Sequence, residues 1–161
     1  MGRIELLIRV LVVFLSASSL VAYISYTESV PSVSDFWNTP LQPLFIITNA
    51  ATSYYFFSMK NWKVSAMLLL FLTAFSVEDH FVFHNVLASM FFIWNLFVIA
   101  KNKRLALYAI PYAGSFIAFL WYGFFWAEVL AISVLSFYHL HYLWVIHKLR
   151  RKRLQIKKER L

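Results

Sequence analysis

The sequence predicts an all-α integral membrane protein, a bundle of six transmembrane helices with the N- and C-termini both cytoplasmic. Composition, the spacing of the apolar runs and the distribution of Lys and Arg point to it. Of 161 residues, 61% are hydrophobic, 20% aromatic and only 14% charged, and the mean hydropathy is +0.68. A chain this apolar cannot cover a water-facing surface with polar groups. A membrane span takes roughly 20 apolar residues, within a range of about 17–25, so the length holds about six spans and no soluble domain.

The first apolar run covers residues 4–26, entered past Arg3 and Arg9, and is read as a retained span because it exceeds the usual signal-peptide core of about 7–15 residues. A Ser- and Pro-containing connection leads to a second run over 44–59, closed by Lys60-Asn61-Trp62-Lys63. The third, 64–77, is short and needs Lys63 to snorkel and part of the following acidic turn to complete it. The fourth covers 81–100, and Lys101-Asn102-Lys103-Arg104 makes the next turn. The fifth, 105–122, is expected to be kinked or loosened at Pro111, with Gly114 close by. After Gly123 the sixth runs to Ile146, giving a transmembrane domain over 1–147 and a basic cytoplasmic tail over 148–161.

All 15 Lys and Arg residues fall at or before the N-terminal entry to the first span, in the second or fourth connection, or after the sixth span. The other connections hold Glu28, Asp35, Glu78 and Asp79, with Glu128 just inside the sixth span. Basic residues in short loops stay cytoplasmic, and this partition fits six spans. The net charge of +8 therefore reports topology and not nucleic-acid binding. The absence of cysteine excludes a disulfide framework, a thiolate metal site and a Cys nucleophile.

The densest polar stretch is Ser76-Val77-Glu78-Asp79-His80-Phe81-Val82-Phe83-His84. His80 and His84 stand at i,i+4, on one face of the fourth span with Ala88, Phe91 and Asn95. A short turn makes spans three and four antiparallel neighbours. Three readings stay open: a solvated turn whose acids cap the fourth helix; a proton, headgroup or metal site of Glu78, Asp79, His80, His84 and Glu128, in the metal case with Asp79, His80 and His84 ligating zinc; or a contact with a partner. His139 and His141 lie deeper and point about 200° apart on their helix, so they are expected to be interior or interfacial groups. Lys148, Arg150, Arg151, Lys152 and Arg153 are expected to contact anionic lipid headgroups.

Pro31-Ser32-Val33-Ser34-Asp35 and His84-Asn85-Val86-Leu87-Ala88-Ser89-Met90-Phe91-Phe92 resemble motifs of the six-span family that includes the DRAM autophagy modulators, the Frag-type GPI-anchor remodelling proteins and the Sfk-type fungal proteins. Where that family usually has Gly after the Ser-Asp pair, this chain has Phe36-Trp37. A second likeness is that of Phe83-His84-Asn85-Val86-Leu87 to a motif of the alkaline-ceramidase-type zinc hydrolases, whose final-span His-x-x-x-His is missing here. The expected function is lipid binding or packing as an accessory subunit of a membrane complex, with a membrane protein or a second copy of the chain as candidate partner and no cofactor. The alternative is a zinc-dependent membrane lipid hydrolase using the outer Asp/His site. Localisation follows as multi-pass in a membrane.

Overall fold

The computed structural model describes residues 3–26 and 31–159. These are helical, with no strand among them: α1 (Arg3–Ile24), α2 (Gln42–Phe57), α3 (Lys63–Ala74), α4 (Phe81–Lys101) and α5 (Ala109–Glu159). Short 3-10 helices over Val33–Asn38, Lys60–Trp62 and Ala106–Tyr108 join them. Three stretches are long and apolar enough to cross a membrane: Ile4–Ile24, Phe81–Lys101 and Ala106–Lys152. At 16 and 12 residues, α2 and α3 span only about 24 Å and 18 Å. Glu28 lies outside the described residues.

α5 is not one rod. Gly123 has φ 80° and ψ 178°, a conformation almost confined to glycine, and the helix breaks there into stretches 109–122 and 124–159. The chain folds back on itself at this point. Tyr108 Oη and His141 Nδ1 are 3.2 Å apart across 33 positions, a separation of about 50 Å along an unbroken helix. Pro111, where the sequence suggested a kink, is the third residue of α5. In the first turn its missing N–H removes no intrahelical bond.

α2 packs against α1 and α3, α3 against α4, and α5 closes on α1 and α4. Two apolar clusters fill the interior. One is built on Tyr55, Phe56, Trp62, Tyr112 and Tyr138. The other, on Leu20, Tyr23, Phe36, Phe45 and Val129, is capped by the 33–38 turn. That turn forms because Ser32 and Asp35 make a reciprocal capping box, with Ser32 N–H and Oγ both donating to Asp35 Oδ2 at 2.8 Å. It drives Phe36, fully buried, into the bundle end, where its ring stacks on Tyr23 at 4.3 Å. Outside, large apolar side chains such as Ile4, Val82, Ile110, Leu120 and Trp121 are exposed. That surface suits lipid and not water. Tyr23 and Trp62 are core residues at 4% exposure each.

Candidate functional site: an interior cavity between two polar ends

The acid–histidine segment is a set of local ties. α3 ends at Phe75, whose carbonyl has no acceptor role left within the helix. His84 Nδ1 donates to that carbonyl oxygen at 2.7 Å, fixing its tautomer and closing the α3–α4 turn. Asp79 Oδ2 accepts from Ser76 Oγ at 2.7 Å, while Asp79 N–H donates to Ser76 Oγ at 3.1 Å. Glu78 Oε2 accepts from Asn38 Nδ2 at 2.8 Å, tying this turn to the 33–38 turn. His80 occupies the N-cap of α4 without a side-chain cap bond, and its ring packs edge-on against Phe75 at 5.2 Å. The acids therefore bind neighbouring turns and do not cap α4.

Among the described residues no three His, Asp or Glu side chains are grouped to hold a metal ion. Asp79 and His80 are exposed, whereas His84 is 2% exposed with its Nδ1 already engaged. Asp79, His80 and His84 thus share one turn without forming a ligand set. Glu128 is not grouped with them and is bonded instead to the Val33 N–H.

Glu128 lines a different feature, a narrow interior cavity of about 100 Å³. Its Oε2 accepts from the N–H of Val33 at 2.6 Å, so the 33–38 turn closes the cavity over the carboxylate. Ser19, Tyr23, Ser34, Thr48 and Asn49 add polar groups to the wall. Part-way along, Ser16 Oγ and Thr52 Oγ1 form a 2.7 Å hydrogen bond between α1 and α2. Ser136 and His139 also line the wall. His139, 2% exposed, shares a 3.1 Å hydrogen bond between Nδ1 and Tyr55 Oη, and it sits among the rings of Phe56, Trp62 and Tyr138. Its Nε2 has no partner among the described residues.

Glu128 and His139 lie eleven residues apart on one helix, about 16 Å. Between them the wall is mostly aliphatic and aromatic, including Leu20, Phe45, Leu72, Phe91, Ile132 and Leu135. An elongated apolar slot with a carboxylate at one end is suited to an amphiphile, not to a small polar substrate. The sequence reading singled out Glu128 but set His139 aside. The signal it passed over is the hydroxyl and amide spacing of Ser16, Ser19 and Tyr23 on α1 and of Thr48, Asn49 and Thr52 on α2. At i,i+3 and i,i+4 these place a polar stripe on each helix.

The basic groups collect at the other end of the molecule from Glu78 and the 33–38 turn. Arg9 pairs with Glu5 at 2.6 Å and reaches Ser58 O at 3.5 Å. Lys60, Lys63, Lys101 and Lys103 line one cleft with Tyr142. The tail carries the last helix on to Glu159, with Lys148, Arg150, Arg151 and Lys152 exposed. The side chain of Arg153 lies outside those described. Lys148 Nζ stands 5.2 Å from the centre of the Trp144 ring. Comparison with known proteins finds no matching family model, no similar curated protein and no similar solved structure.

Proposed function

We propose that this chain is a six-span membrane protein, with both termini on the basic, cytoplasmic side, that binds the acyl chain of a lipid in its interior cavity and has no catalytic chemistry of its own. The six spans are α1 to α4 and the two stretches of α5 on either side of Gly123. The partition of Lys and Arg supports the sidedness, as does the gathering of the basic turns around one cleft. The shorter α2 and α3 fit because 3-10 turns extend them and lysine side chains reach outward from their ends. The reading agrees with the resemblance to the DRAM, Frag and Sfk family.

The observation that carries the function is the slot from Glu128 to His139. Its wall is mostly apolar, interrupted part-way by the Ser16–Thr52 hydrogen bond, and at the Glu128 end the carboxylate is held by the Val33 N–H beside Ser34 and Tyr23. At about 100 Å³ the slot holds a short segment of a lipid tail and not a whole chain, so a tail would enter it in part, with the lipid's polar end near these groups. The test is lipid extraction and mass analysis of detergent-purified wild type and Ser136→Phe, a cavity-wall variant that narrows the slot. One lipid or fatty-acid species should co-purify near one per chain with wild type, and fall at least several-fold in the variant at an unchanged unfolding temperature. Lipid at the detergent background in wild type, or equal lipid in a folded Ser136→Phe, overturns the proposal.

A further inference from the structure

The cleft between the second and fourth connections is separate from the interior cavity and larger, about 680 Å³. Lys60, Lys63, Lys101 and Lys103 surround it and no acidic side chain lines it. All four lysines are exposed, and among the described residues none pairs with a carboxylate. Like charges gathered around one concavity without counter-charge repel one another, and a bound anion relieves that repulsion. The floor is fixed: Asn102 Nδ2 donates to Tyr138 Oη at 2.8 Å and Asn102 Oδ1 accepts from the N–H of Arg104 at 3.3 Å. On one side the wall is apolar, with Trp94 and Phe97 36% and 53% exposed.

We infer that Lys60, Lys63, Lys101 and Lys103 bind the phosphate group of an anionic ligand. Lysine ammonium groups hold phosphate as mobile point charges with three donors each. The exposed Trp94 and Phe97 beside them supply an apolar surface continuous with the outside of α4, which a phospholipid would use for its glycerol and acyl portions and a free phosphate would not. Lys101 Nζ already rests 5.4 Å from the centre of the Phe97 ring, so the charged and apolar walls meet at one place. Anionic phospholipid is thus the source the cleft favours, with a soluble phosphate as the other arm of the test. Lys148, Arg150, Arg151 and Lys152 in the tail are exposed and none of them lines the cleft.

The experiment titrates detergent-purified full-length chain with short-chain phosphatidylglycerol, counting bound molecules by native mass spectrometry, with and without millimolar inorganic phosphate. Lys60→Gln with Lys63→Gln, and Lys101→Gln with Lys103→Gln, should each weaken binding by roughly 25-fold, about five-fold per lysine. Lys63→Arg should retain it. Lys148→Gln with Lys152→Gln in the tail should leave the tightest site unchanged, and so should the cavity variant Ser136→Phe. Because removing loop lysines can disturb insertion, Asn61→Trp, which narrows the cleft and keeps every charge, is the second variant and should also weaken binding several-fold. Phosphate that leaves the lipid bound assigns the cleft to phospholipid; displacement by phosphate alone assigns it to a soluble phosphate. Lipid and phosphate binding that survive Asn61→Trp and both folded glutamine pairs, or that are lost only with the tail substitutions, overturn the inference.

Discussion

Tyr108, last residue of the 3-10 helix before α5, and His141, within α5, are hydrogen-bonded, Oη to Nδ1 at 3.2 Å, although 33 positions separate them. The contact requires the chain to reverse midway between them, and Gly123 is where it does. Gly123→Ala meets no atom within 4 Å, so its cost is purely backbone: about 1–3 kcal/mol for holding a non-glycine residue in that conformation. Thermal unfolding in detergent should show that loss. With no native cysteine to interfere, a Tyr108→Cys and His141→Cys pair should be joined within one chain by a short bifunctional maleimide. A straight 109–159 helix would give no intramolecular cross-link.

The Tyr55–His139 pair ties α2 to α5 in a site packed by Phe56, Trp62 and Tyr138. Tyr55→Phe leaves His139 Nδ1 without its partner, and His139→Phe leaves the Tyr55 hydroxyl without its own. Each single change should cost about 1–3 kcal/mol. The coupling from a double-mutant cycle should lie near 0.6 kcal/mol and no higher than about 1.7 kcal/mol, as for other hydrogen bonds between membrane helices. Zero coupling in unfolding measurements would mean that the two groups do not interact.

Ser65 Oγ donates to Asn95 Oδ1 at 2.5 Å, with both residues fully buried. Together with His84 on Phe75 O it sets the antiparallel register of α3 on α4. Ser65→Ala strips a buried amide of its donor and should lower stability by about 1–3 kcal/mol. Asn95→Leu with Ser65→Ala should recover part of it, because it removes the amide that Ser65→Ala leaves without its donor, and only part because the buried Tyr112 hydroxyl beside Asn95 loses that neighbour. A double variant less stable than Ser65→Ala would count against this account.

How much of this was legible depends on the kind of interaction. The all-helical class followed from the apolar runs, and the α3–α4 hairpin from the brevity of its turn, with Ser65, Asn95 and His84 on the facing sides. The break at Gly123 was legible as a boundary, since a glycine there stood between two apolar runs. Pro111 misled because its effect depends on its place in the helix, harmless in a first turn and disruptive further in. Glu128 was identified, but its partner is a backbone N–H of Val33, 95 positions away, and no side-chain pattern announces a backbone donor. The cavity was not legible at all. It arises where the helices fail to meet fully at their centre, with wall residues from α1 through α5, a property of many-body packing. Only the polar stripe of Ser16, Ser19 and Tyr23 hinted at it.

Zinc retention separates a structural from a catalytic role for the acid–histidine turn. His84 Nδ1 is spent on Phe75 O and Asp79 on Ser76, so the purified chain dialysed against micromolar zinc should hold well below one zinc per molecule by elemental analysis. His84→Ala should leave that figure unchanged and lower stability by about 1 kcal/mol through loss of the Phe75 bond. Stoichiometric zinc abolished by His84→Ala would restore a hydrolase reading.

Sidedness can be read directly. Asn38 and Glu78 are bonded at one end of the bundle, and Asn61 and Lys103 line one cleft at the other. Single cysteines at Asn38, Asp79, Asn61, Lys103 and Arg151 probe both ends on a cysteine-free background. In sealed vesicles of known orientation, a membrane-impermeant maleimide should label the Asn38→Cys and Asp79→Cys variants from the outer side only. Asn61→Cys, Lys103→Cys and Arg151→Cys should react only from the cytoplasmic side. Six crossings require this pattern because Arg9, Lys60, Lys101 and Arg151 then all face one compartment, where the cost of translocating a basic loop is avoided. Labelling of Asp79→Cys and Arg151→Cys from the same side would require an even number of crossings between them in place of three and would end the six-span reading.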